Sequence, residues 1–248
     1  MESARRWSLI LILALLPTTS RPALAQTISA GLSLPDVALV SEIGQAVQIT
    51  VRVSNRVSLP RSKLSQAEGV ATQILNHAGV QIVWIDCSIA ITASTWDPTC
   101  DPPFGPTDLI INFVKEVRSL SSAANDDTLG FTAVPYSGGQ AERAYISNER
   151  AKKAAQRFAV PSELILGLAT AHEIGHLLTD SGKHSLSGLM RAQWDAEDLA
   201  RAARGDLQFT DDEVKKLHAN INARIAHTSS WVKVRNAKED CRENAFSE

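Results

Sequence analysis

Pro161 to Leu178 reads P-S-E-L-I-L-G-L-A-T-A-H-E-I-G-H-L-L. The run predicts a helix from Pro161 to about Leu178. Proline suits the first helical position, because it needs no amide donor there and pre-sets the backbone angle. Its second half carries His172, Glu173 and His176. Histidines four residues apart share one helical face, with β-carbons roughly 5–6 Å apart. That spacing lets both imidazoles reach one tetrahedral zinc ion. Glu173 lies about 100° further round. It falls beside such a metal rather than on it, placed to accept a proton from a water that the metal activates. From this composition an H-E-x-x-H arises by chance about 0.01 times, which makes the segment specific.

Upstream of this helix the periodicity changes. Val47 to Val53 (V-Q-I-T-V-R-V) alternates apolar and polar and predicts a strand with one buried face. A helix follows over about 62–78, with Leu64, Ala67, Val70, Ala71, Ile74 and Leu75 on one face and Gly79 as its C-terminal cap. Gln81 to Asp86 predicts the next strand, and Trp84 on it reads as core. Asp108 to Val114 (D-L-I-I-N-F-V) is apolar enough to be central in a sheet. Residues 119–128 read as polar linker. Leu129 to Val134 and Ala144 to Ser147 predict two short strands joined by a Ser-Gly-Gly turn at 137–139. A helix over about 149–158 precedes Pro161. Beyond 178 come a loop, a short helix near 195–203 and a helix from 211 to about 226. This last helix opens on the capping box Thr210-x-x-Glu213. The order predicts an α/β (α+β) fold: a mixed-sheet subdomain over 46–178 ending in the metal helix, and a smaller, mainly helical part over 179–248.

Leu177 to Met190 reads L-L-T-D-S-G-K-H-S-L-S-G-L-M. With the helix before it, this stretch resembles the metzincin clan of zinc endopeptidases, whose pattern is H-E-x-x-H-x-x-G-x-x-H followed by a methionine turn. It also resembles a group of exported bacterial proteins predicted to be metalloproteases. The resemblance spans most of residues 47–215, and only the metal segment is specific. It implies His172, His176 and His184 as zinc ligands, Glu173 as general base and Met190 in the turn beneath the metal. It implies that Gly130, Phe131 and Thr132 form an edge strand lining a cleft, where extended substrate pairs by β-augmentation. Arg191 and Trp194 fall where a specificity-pocket wall is expected.

The chain departs from the clan pattern in spacing. The clan's glycine would fall at Thr179 and its third histidine at Gly182, whereas seven residues separate His176 from His184. Gly182, free to take φ > 0, lets the longer loop bring His184 back. Asp180 is the alternative third ligand, on the same face as His176 if the helix continues. The clan's metal-side tyrosine after the methionine has no counterpart, since Tyr136 and Tyr145 both lie upstream.

The N-terminus has a basic start, an apolar run from Trp7 to Leu16 and an Ala23-Leu24-Ala25 site. This reads as a secretory signal peptide over 1–25, followed by an N-terminal arm over 26–45, and predicts a secreted or periplasmic protein. In an oxidising compartment Cys87 and Cys100 are the natural disulfide pair, leaving Cys241 odd. The 248 residues carry 25 basic and 27 acidic groups, and 44% are hydrophobic. That balance excludes a disordered chain and gives no electrostatic footprint for nucleic acid. The apolar run is too short for a membrane span.

The other candidates read blandly. His77, His218 and His227 read as helix-end or solvent-facing residues. Asp126-Asp127 read as a solvated loop and Asp211-Asp212 as a helix N-terminus. Asp97 and Asp101 carry no calcium-loop motif. The expectation is a monomeric zinc metallopeptidase with peptide or protein substrates, and neither nucleic-acid nor membrane partners. A metallohydrolase of short peptides or cell-wall amides is one alternative. A secreted binding protein holding zinc structurally is the other.

Overall fold

The computed structural model describes residues 47–88, 98–101, 105–117, 128–133 and 142–244, with side chains up to residue 227. The described residues fall in one compact unit, Gln45–Glu248. The signal peptide, the arm, the 137–139 turn, Tyr136, Asp97 and Asp126-Asp127 lie outside the described residues, as does most of the 119–128 linker.

The fold is mixed α/β. Strands β1 (Val47–Asn55), β2 (Val80–Asp86), β3 (Asp108–Val114), β4 (Gly130–Ala133) and β5 (Arg143–Ser147) form one sheet in the order β2-β1-β3-β5-β4. The first four in that order pair in parallel, and β4 is antiparallel to β5 at the edge. The apolar D-L-I-I-N-F-V run does occupy the centre, with Leu109, Ile111 and Phe113 buried. Alternation in β1 buries Ile49, Val51 and Val53 on one face only.

Helix α1 (Arg61–His77) links β1 to β2, as parallel strands require a crossover. It buries Leu64, Ala67, Ala71, Ile74 and Leu75, with Val70 half-buried. Helix α2 (Asn148–Phe158) leads into α3 (Ser162–Thr179), in which Ile165 to Leu178 are all buried. Pro161 is the residue before the first helical one, not the first itself, with ψ 139° extending the chain as it enters. α3 packs on α1 closely because Gly167 has no side chain: a β-carbon there would lie 2.5 Å from Val70 Cβ.

Helices α4 (Ala196–Ala203) and α5 (Asp211–Asn244) complete the fold. The predicted capping box is formed: Thr210 N donates to Glu213 Oε2 at 2.7 Å, and Glu213 N donates to Thr210 Oγ1 at 3.4 Å. α5 runs well past the predicted end near 226. His227 is therefore inside the helix rather than after it, and Cys241 falls near its end. His218 on α5 donates from Nε2 to Ala78 O at 2.7 Å, capping the end of α1, while His77 is exposed. Trp84 is half-buried, its Nε1 donating to Thr72 Oγ1. Cys87 and Cys100 form the predicted disulfide, with Cα atoms 5.6 Å apart. Among the described residues, no helix is long and apolar enough to cross a membrane.

Candidate metal centre

The i,i+4 spacing on α3 brings His172 Nε2 and His176 Nε2 to 3.0 Å, and His184 Nε2 lies 3.3 Å from His176 Nε2. These three residues are the group among the described ones whose ligand atoms could share a metal ion. Each of the first two rings is anchored from behind. His172 Nδ1 donates to Leu189 O at 2.9 Å and His176 Nδ1 to Ser181 O at 2.6 Å. A carbonyl can only accept, so each Nδ1 carries the proton and each Nε2 keeps a free lone pair.

Electrostatics favour the same state. Burial pushes the His172 pKa down to about 3, helped by the neighbouring His176 and His184 and opposed by the bond to Leu189. Burial also lowers His176 and His184. Three neutral imidazoles converging on one point, with the cleft as the open side, fit a zinc ion.

The loop that delivers His184 differs from the prediction. α3 ends at Thr179, whose Oγ1 donates back to Gly175 O, and Asp180 takes the left-handed conformation at φ 49°. Asp180, not Gly182, makes the turn. The helix stops before Asp180, so this residue does not continue the histidine face. It is exposed and stands outside the ligand group.

After His184 the chain closes a compact turn. Ser185 N donates to Met190 O at 2.8 Å, and Gly188 takes φ 76°. Met190 is buried against α3: a β-carbon on Gly175 would lie 2.7 Å from its Sδ. The predicted methionine turn thus lies against the helix between the two histidine positions. The turn also presents Leu189 O, which accepts from both His172 Nδ1 and Trp194 Nε1. The Trp194 ring meets His172 edge-on, with centroids 5.7 Å apart.

Glu173 faces the other wall. It is buried, and burial raises its pKa to about 7 against the bond from Thr132, which lowers it. Thr132 Oγ1 donates to Glu173 Oε2 at 2.9 Å. Gly130 leaves the space the carboxylate fills, because a β-carbon there would sit 2.7 Å from Glu173 Oε1. Phe131, between them, is partly exposed and stacks on Tyr145 at 4.9 Å. The predicted edge strand is therefore the edge of the sheet and touches the candidate base. A cleft of about 1400 Å³ runs between β4 and the turn that bears Leu186 and Trp194, with the histidines at its floor. Arg191, expected at the pocket wall, lines it and bridges Asp195 and Asp198 at the start of α4.

Sequence reasoning missed the carbonyls of Ser181 and Leu189, and the side chain of Phe209 against Gly175. Backbone acceptors carry no residue signature, and Phe209 reads as ordinary core.

No family model matches the chain, and no curated protein matches it. Among solved structures it is similar to archaemetzincin from Methanopyrus kandleri, with 14% identity over 73% of this chain and 99% of that one, at a TM-score of 0.43.

Proposed function

We propose that the protein is an exported, zinc-dependent endopeptidase of the metzincin type. The observation that carries this reading is the pairing of the histidine trio with a buried Glu173 held against an edge strand in an open cleft. A zinc ion in the trio would supply Lewis acidity, polarising a carbonyl and lowering the pKa of a water to about 7.

The chain's own residues do the rest. Glu173 takes the proton from the attacking water through Oε1, the oxygen not engaged by Thr132. The water oxygen bonds to the peptide carbonyl carbon, the carbon–nitrogen bond breaks, and Glu173 returns the proton to the leaving amine. Burial raises the Glu173 pKa and a cation in the trio would lower it, so the two influences oppose each other at the group that must accept and give up a proton. β4, the edge strand among the described residues, offers its outer side to an extended substrate, aligning it over the trio. The Cys87–Cys100 bridge supports export to an oxidising compartment.

The free edge of β4 beside the trio, among the described residues, favours a substrate with an extended backbone over a single cell-wall amide. A protein that merely stores zinc has no use for a proton acceptor beside it, so Glu173 argues against the binding reading. The test is to purify the mature chain, measure its zinc, and follow cleavage of a denatured protein with and without chelator and with Glu173→Ala. Turnover that survives Glu173→Ala sinks the mechanism. Stoichiometric zinc without turnover supports the binding protein instead.

A further inference from the structure

Two of the three histidines owe their ring orientation to carbonyls behind them. Among the described residues, no carbonyl or carboxylate takes the Nδ1 of His184, and this ring is the exposed one of the three. The ring stacks on His172 at 5.3 Å and meets His176 edge-on at 4.9 Å, but no acceptor holds it from behind, so the backbone that carries it has more to fix. The backbone on its C-terminal side is fastened to the entry of α5. Ser185 Oγ donates to Glu213 Oε1, Leu189 N donates to Gln208 O at 2.8 Å, and Gly188 presses against Gln208 O closely enough that a β-carbon would lie at 2.8 Å. Glu213 is 7% exposed. Its other oxygen, Oε2, already closes the capping box with Thr210. The cap needs one carboxylate oxygen, and the second, turned to Ser185, does nothing for the helix.

We infer that Glu213 is a positioning residue for the third metal ligand, His184, acting through the Ser185 hydroxyl. One carboxylate then does two separable things. Oε2 and the Thr210 amide start α5, and Oε1 pins the residue next to His184. Partners behind a metal ligand typically change metal affinity by about 10–100-fold when removed. The inference rests on the metal-site reading above.

The experiment measures the affinity of the full chain for Co²⁺ by competition with a chelator. It also records the visible absorption of the cobalt form and the melting temperature of the metal-free chain. Ser185→Ala should weaken affinity about tenfold and alter the cobalt spectrum, while the metal-free melting temperature stays that of the parent. Thr210→Ala should do the reverse, lowering the melting temperature with affinity within about twofold. Glu213→Gln should weaken affinity in the parent, but by no more than about twofold further when added to Ser185→Ala, since both act through one contact. An affinity for Ser185→Ala within about twofold of the parent, or fully additive losses in the double variant, overturns the inference while leaving the metal site standing. A parent chain that binds no cobalt overturns both.

Discussion

Thr132 Oγ1 donates to Glu173 Oε2 across 2.9 Å, joining the edge strand of the sheet to the helix that bears two of the histidines. The bond favours the ionised carboxylate, and burial opposes it. Thr132→Val keeps the shape and removes the donor. The acid limb of kcat/KM should then move to higher pH, with a loss of about tenfold at pH 7 and no change in metal content. A limb left in place would mean that the hydroxyl does not tune the base.

The metal-free chain offers a cleaner reading of the same carboxylate. Its pKa is raised from the ordinary 4.5 to about 7, so its contribution to stability is present below about pH 4.5 and is lost as pH rises through about 7. Glu173→Gln should therefore gain stability over the parent progressively between those values, and by a constant amount above them. His172 works in the opposite sense. Lowered from 6.5 to about 3, it contributes stability above pH 6.5 that drains away as pH falls toward 3. Denaturant melts of parent and variant from pH 4 to 8 separate the two.

Gly130→Ala places a β-carbon 2.7 Å from Glu173 Oε1 and 2.9 Å from Tyr145 O. Either the carboxylate or the strand must move. A displacement of that size should cost about 100-fold in kcat. Metal affinity should be untouched, because β4 holds none of the ligands. Loss of metal along with activity would contradict this placement.

On the opposite side of α3, Gly175→Ala drives a β-carbon to 2.7 Å from Met190 Sδ and 2.8 Å from Phe209 Cε1. Overpacking of this kind costs about 1–3 kcal/mol. The strain falls on the turn that presents Leu189 O to His172, so metal affinity should fall with stability. Thermal melts with and without Zn²⁺ check both.

The third ligand can be assigned directly. His184→Ala should lower zinc affinity by more than about 100-fold, beyond what removal of a supporting partner does. Asp180→Ala should leave it within about twofold, because that residue lies outside the trio.

The sequence made α3 and its histidine pair legible because an i,i+4 spacing on a buried helix admits one geometry. The central place of β3 was equally plain from its unbroken apolar run. The choice between His184 and Asp180 depended on where α3 stops, and that was not legible. Glycine suggested a turn at Gly182, yet aspartate also tolerates the left-handed region, and Asp180 takes it. The length of α5 was hidden because His227-Thr228-Ser229-Ser230 are indifferent helix formers that read as an ending. The carbonyls of Ser181 and Leu189 could not be read at all, since any residue supplies one.

His172 and Glu173 are neighbours in the chain, yet one is tied to the turn at Leu189 and the other to the strand at Thr132. A single step of one helix therefore spans the cleft from side to side and acts as its gauge. Surface loops can lengthen or diverge without altering the reach between proton acceptor and metal. Bending α3 itself would change both at once.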